Sequence, residues 1–167
     1  ATDKYDKGGR NDIKVASNKC GAVYELDVDA GMAATAIRGL VAGTETAYAD
    51  GTPQAGNTCD VDGIANPDNL TFIRGTRTLI IGEDTGSGHQ NDVVWAYDLD
   101  KKALTRIQTT PYGSETTSVY WYGDIDGHGY LMSVIQHPYG ESDQDKLADP
   151  ADARAYVGYI GPFPAVK

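Results

Sequence analysis

Apolar and polar residues alternate along much of this chain with a period of two, the pattern of half-buried β-strands. Residues 21–29 (Gly-Ala-Val-Tyr-Glu-Leu-Asp-Val-Asp) set apolar against acidic positions, and Ala30-Gly31 then turns the chain. Residues 33–41 are alanine-rich enough for a short helix, but Thr35, Ile37 and Val41 alternate with smaller residues and fit a paired strand better. Residues 63–84 read as a polar turn, a short strand, a Gly-centred turn and the buried strand Thr78-Leu79-Ile80-Ile81, ending on Glu83-Asp84. Residues 93–98 and 104–109 follow as a third and a fourth strand. A further hairpin spans residues 118–123 and 130–136 across Asp126-Gly127-His128-Gly129, where Asp-Gly supplies the positive φ of a tight turn. Residues 149–153 suit a short helix, and residues 155–160 a last strand before a Pro-Phe-Pro tail.

The pattern predicts an all-β chain. Its four consecutive strands over residues 63–111 are expected to form one full blade of a β-propeller, with partial blades at 20–45 and 112–163. Residues 1–19 read as a lead-in, 46–62 as a polar insertion and 164–167 as a tail to the single domain 1–167. Weak internal repetition agrees: Tyr24-Glu25-Leu26-Asp27 matches Tyr97-Asp98-Leu99-Asp100. Gly43-Thr44-Glu45-Thr46 matches Gly113-Ser114-Glu115-Thr116 about seventy residues later. Two to three blades cannot close a ring, which needs about four. The expectation is therefore an incomplete β-propeller, completed by upstream residues or by another chain. A small stand-alone β-sandwich is the competing architecture.

The charge changes the picture of partners. With 24 acidic against 14 basic residues the net charge is −10, which argues against nucleic acid or an anionic membrane as partner. It suits a soluble exported protein or one that collects divalent cations on carboxylates. No apolar run approaches the roughly 20 residues needed to span a bilayer. Cys20 and Cys59 read best as one disulfide of an exported protein, with two reduced thiols or a metal-ligating thiol as alternatives.

Candidate chemistry gathers at strand ends. Glu83 and Asp84 follow a buried strand and should point to opposite faces. His89 lies in a Gly-rich polar loop, 85–92, and Asp68 and Asn69 flank Pro67 just before a strand. Glu115 stands at a blade entrance, Glu45 repeats it in the earlier copy, and His137 ends a strand. Mixed carboxylate and amide oxygens of this kind suit a hard cation such as Ca²⁺. No Gly-x-Ser-x-Gly elbow and no His-Glu-x-x-His or Cys-x-x-Cys pattern occurs.

The blocks Asn66-Pro67-Asp68-Asn69-Leu70-Thr71-Phe72, Leu79-Ile80-Ile81-Gly82-Glu83-Asp84 and Ile135-Gln136-His137-Pro138, with Glu115 between the last two, resemble the C-terminal part of PhoX-type alkaline phosphatases. The resemblance covers about residues 63–141. It implies an exported, periplasmic or secreted β-propeller phosphatase, moved by the twin-arginine route, with a centre of iron and calcium acting on small phosphate esters. Glu83, Asp68, Asn69 and Glu115 are the positions it marks as metal-facing. The family's upstream blocks, Asn-Cys-Ala-Gly-Gly and Arg-Pro-Glu, do not occur; Cys20 in Asn-Lys-Cys-Gly-Ala echoes the first only superficially. The chain is thus expected to supply carboxylates to a centre completed by upstream residues. A calcium-stabilised extracellular binding module and a lactonase-like calcium-dependent propeller hydrolase are the other readings.

Overall fold

The computed structural model describes residues 17–140 and 146–166. Among these described residues nine strands follow in order: β1 (Ala22–Val28), β2 (Ala34–Ala42), β3 (Pro67–Ile73), β4 (Thr78–Glu83), β5 (Val93–Asp98), β6 (Ala103–Thr109), β7 (Glu115–Ile125), β8 (His128–Gln136) and β9 (Tyr156–Pro164). They form three antiparallel sheets, β1-β2, β3-β4-β5-β6 and β7-β8-β9, and none closes on itself. The molecule is all-β, and among the described residues no helix is long and apolar enough to cross a membrane.

The four-stranded sheet is the centre of the packing because its middle strands are apolar on both faces. On one face Ile81, Val93, Trp95 and Tyr97 pack with Val23 of β1 and Ile64, flanked by Leu40 and Val41 of β2. On the other, Ile80 and Val94 meet Val119 of β7 and Leu131 of β8, with Trp121 and Ile160 beside them. The continuous run Leu79-Ile80-Ile81 follows from this double coverage. Leu79 and Ile81 serve one core, and Ile80 serves the other. The outer sheets are less covered, and most of β1, β2 and β9 is exposed on both faces. Tyr24, Leu26, Val28 and Ile37 are exposed on the first, and Tyr120, Tyr122, Val157 and Tyr159 on the third.

Several boundaries differ from the sequence pattern for identifiable reasons. The Pro-Phe-Pro segment is not a tail but the end of β9, with Phe163 paired to Gly129 and Pro164 to His128. Proline is tolerated there because β9 is an edge strand, and its missing N–H removes no inner ladder bond. Pro67 also begins β3 instead of preceding it. A register shift between Pro67 and Asn69 lets Pro67 pair with Glu83, so Asp68 and Asn69 lie within the strand. The hairpin turn is shorter than expected. Only Asp126 (φ 50°) and Gly127 (φ 82°) separate Ile125 from its partner His128, the two positive values of a type I′ turn. The helical stretch is a single 3₁₀ turn, Pro150–Ala153, capped by Asp149, whose side chain accepts from the Ala151 N–H. Most of the expected lead-in, residues 1–16, lies outside the described residues.

Cys20 and Cys59 form a disulfide. It ties the polar insertion to the entry of β1 at a fully buried point beside Ala65. Glu45 and Cys59 add an isolated antiparallel bridge. From there, the Thr58 and Cys59 N–H groups both donate to the Gly88 carbonyl, at 3.1 and 3.0 Å, holding the 85–92 loop against the insertion.

Candidate functional site

The end of β4 brings together most of the residues singled out in the sequence, but in two layers. The inner layer is buried. Glu83 has no exposed surface, and its carboxylate accepts four hydrogen bonds. One oxygen takes the Ala65 N–H at 2.8 Å and the Trp95 indole N–H at 2.7 Å. The other takes His89 Nδ1 at 2.9 Å and the Val93 N–H at 2.9 Å. An ionised carboxylate has about four lone-pair sites, so protein donors saturate Glu83 and leave none for a ligand.

His89 sits between two acceptors, with Nδ1 toward Glu83 and Nε2 3.0 Å from the Asp60 carbonyl. Both ring nitrogens must donate to satisfy this arrangement, which is the imidazolium form. Burial by itself would push the His89 pKa down. The hydrogen bond and charge of Glu83, with the Asp60 carbonyl, outweigh it and hold the pKa above 6.5. Trp95 completes the cluster on its outer side, with the Arg106 guanidinium 4.9 Å from its ring centre. Sequence reading placed Glu83 and His89 near one another. It missed Trp95 as a donor, since a tryptophan in an apolar strand reads simply as core.

Thr116 joins this layer to the third sheet. Its hydroxyl accepts from the Glu83 N–H at 2.6 Å and donates to the Glu83 carbonyl at 3.0 Å. Asn69 makes a parallel link, donating to the Thr116 carbonyl at 2.7 Å. Gly82 permits this approach. A Cβ there would lie 2.6 Å from Asn69 Oδ1 and 2.8 Å from Thr116 Oγ1. Asn69 therefore stitches two sheets together.

The outer layer carries the accessible charge. Asp84 turns away from Glu83 and is exposed, as strand alternation requires; Asp68 is exposed as well. Glu115, at the start of β7, accepts from Gln136 Nε2 at 2.9 Å and lies 3.2 Å from His137 Nε2. Partial burial raises the Glu115 pKa, the charges of Asp84 and Asp68 raise it further, and His137 only partly offsets them. Behind this edge lies Asp92, a residue not singled out from the sequence. It is 1% exposed, and one oxygen accepts from the Thr85 N–H at 3.0 Å while the other has no partner. Burial, with lesser repulsion from Glu83, Asp84 and Glu115, outweighs the Thr85 bond and pushes its pKa up to about 8.

Glu45 does not join the cluster. It is exposed and accepts from the Lys19 N–H at 3.2 Å, so the two repeat copies put their glutamates to different uses. Among the described residues no group of three or more His, Cys, Asp or Glu is arranged to hold a metal ion. Together with the saturation of Glu83, this means the described residues alone do not fit an iron–calcium centre. The arrangement instead offers an anionic edge, Asp68, Asp84 and Glu115, mounted on a rigid buried support. No family model, curated protein or solved structure matches this chain.

Proposed function

We propose that this chain is a portion of a β-propeller phosphomonoesterase resembling the PhoX type, and that it contributes the carboxylates Asp68, Asp84 and Glu115 to a cation-assisted site completed by residues outside it. The observation that carries this reading is the convergence of these three acidic residues at one end of adjacent sheets. There burial, with the charges of Asp84 and Asp68, raises the Glu115 pKa, and His137 at 3.2 Å only partly offsets them. Such an edge is relieved by a bound divalent cation, and cations in turn neutralise phosphate oxygens and activate the attacking oxygen. Sheets of two, four and three strands in chain order, with apolar outer faces on the first and third, agree with blades awaiting neighbours. The disulfide agrees with export. Glu83, marked by the family resemblance, acts in this reading as a positioning residue beneath the edge.

The test is turnover of 4-nitrophenyl phosphate by the intact protein with its metals, against Asp84→Asn and Glu115→Gln. Both variants should lose at least about tenfold in kcat/KM, about 1.4 kcal/mol of transition-state stabilisation, at unchanged melting temperature. Wild-type turnover in both variants would exclude the edge from the site. Metal-dependent turnover by residues 1–167 alone would exclude completion from outside.

A further inference from the structure

Residues 85–92 include no large apolar side chain, so hydrogen bonds and not core packing hold this loop in place. Several of those bonds run to the polar insertion. The Ser87 carbonyl accepts from the Thr58 N–H at 3.0 Å and from the Thr58 hydroxyl at 2.9 Å. The Gln90 N–H donates to Asn57 Oδ1 at 2.8 Å, and His89 Nε2 lies 3.0 Å from the Asp60 carbonyl. Within the loop, Thr85 Oγ1 accepts from the Gly88 N–H at 2.7 Å, and Asp92 closes the loop by accepting from the Thr85 N–H.

Two of these contacts depend on a proton. His89 faces an acceptor at each ring nitrogen, Glu83 at 2.9 Å and the Asp60 carbonyl at 3.0 Å. Without its second proton, one nitrogen lone pair points at an acceptor, and the Glu83 or the Asp60 contact is lost. Among the charges around it, Glu83 favours the imidazolium and Arg106 of β6 opposes it. Asp92 is suited to the neutral form for a different reason. It is buried, its Oδ1 meets no donor among the described residues, and the Thr85 N–H serves only the other oxygen. The charges facing it are Glu83 at the end of β4, Asp84 just beyond, and Glu115 at the start of β7. An ionised Asp92 is therefore a buried charge that is only half satisfied. Loss of either proton weakens the same loop.

We propose that loop 85–92 is a pH-operated latch, which holds the 46–62 insertion closed in acid and neutral solution and releases it in alkaline solution. Cys59 stays bonded to Cys20, so the insertion opens on a tether while the sheets remain folded. Both groups hold their proton more tightly in the latched state than in the open one, so opening becomes easier as pH rises. For Asp92 this range runs from 3.8 to about 8, and for His89 it begins at 6.5. Above pH 6.5 the two act together, each adding up to about tenfold in open population per pH unit. The latch stands apart from the phosphatase reading, because neither group is among the carboxylates assigned to the cation.

The experiment is amide hydrogen exchange of the intact protein at pH 6 and pH 8, with rates corrected for the intrinsic effect of pH. The open population of the 85–92 loop and the 46–62 insertion should rise at least about tenfold between the two. At both values these amides should exchange faster than those of Ile81 and Trp95 in the paired core strands. Asp92→Asn keeps an acceptor for the Thr85 N–H and cannot ionise, so its rise should be about tenfold smaller. His89→Gln combined with it should abolish the rise. An equal open population at the two pH values, or an undiminished rise in Asp92→Asn, would overturn the proposal. Exchange of the loop no faster than that of Ile81 and Trp95 would do so too, since opening would then be global. Should the double variant fail to fold, the wild-type and Asp92→Asn measurements decide the matter alone.

Discussion

Glu83→Gln is nearly isosteric, yet it should be clearly destabilising. The carboxylate meets four donors, and a glutamine side chain offers one oxygen and one NH₂ group. With the NH₂ toward Ala65 and Trp95, two donors face a donor. With it toward His89 and Val93, His89 can lose its Nδ1 proton and accept, keeping Nε2–H on the Asp60 carbonyl. Only the Val93 N–H is then stranded. The second arrangement is the better one, and it still forfeits the Glu83–His89 ion pair. An orphaned buried N–H costs about 1–3 kcal/mol, and neutral His89 leaves no uncompensated buried charge to add to it. Roughly 1–3 kcal/mol is therefore expected, a sizeable part of the 5–15 kcal/mol typical of a domain.

Urea unfolding at a series of pH values checks this twice over. The folded pKa of His89 is raised above 6.5, so its stabilisation is full below that pH and is lost as pH rises through the folded value. Wild-type stability should carry this decline above pH 6.5, and Glu83→Gln, whose His89 is neutral, should lack it. An unfolding midpoint within about 0.5 kcal/mol of wild type, or an unchanged pH profile, would refute the assignment of Glu83 as a saturated structural carboxylate.

Thr116→Val removes the hydroxyl that both accepts from and donates to the Glu83 backbone. Two buried peptide groups lose their partner, and a loss of about 2–4 kcal/mol should appear in thermal or urea unfolding; a loss below about 0.5 kcal/mol would mean that the sheets are held together elsewhere. Replacing Cys20 and Cys59 with serine opens a link across a sequence separation of 39, worth about 4 kcal/mol by loop-closure entropy. Hydrogen exchange should then quicken first in the 46–62 insertion and the 85–92 loop, and uniform loss of protection would contradict the coupling of these two segments. Asp92 behaves oppositely to an ordinary paired carboxylate. Its pKa rises from 3.8 to about 8 on folding, so stability is highest where it is protonated and declines between those values. Asp92→Asn should thus be near neutral at pH 4 and stabilising at pH 9, and a variant destabilised at both would show that the ionised form is needed.

The fold was legible wherever the polar–apolar pattern alone determines pairing. The third strand was expected at 93–98 and lies at Val93–Asp98, because both its ends are marked by polar residues. The pattern misled where an exception to it is tolerated by position. Pro162 and Pro164 read as a terminator, but an edge strand accepts them. Pro67 likewise hid a strand start, since a bulge accommodates Asp68. At the site, alternation correctly separated Glu83 from Asp84. It could not reveal that Glu83 is saturated, because its donors come from Ala65, His89, Val93 and Trp95, which meet only through the fold. Asp92 was missed for a related reason: in a Gly-rich polar loop an aspartate reads as a turn former, and only burial makes it unusual.

The reading of the chain as part of a phosphatase ring is tested most directly by the metal content of the intact native protein. Stoichiometric iron and calcium, retained through gel filtration in a particle several times the 17.8 kDa of this chain, is the expected result. A particle of this chain's own mass with neither metal bound would contradict it.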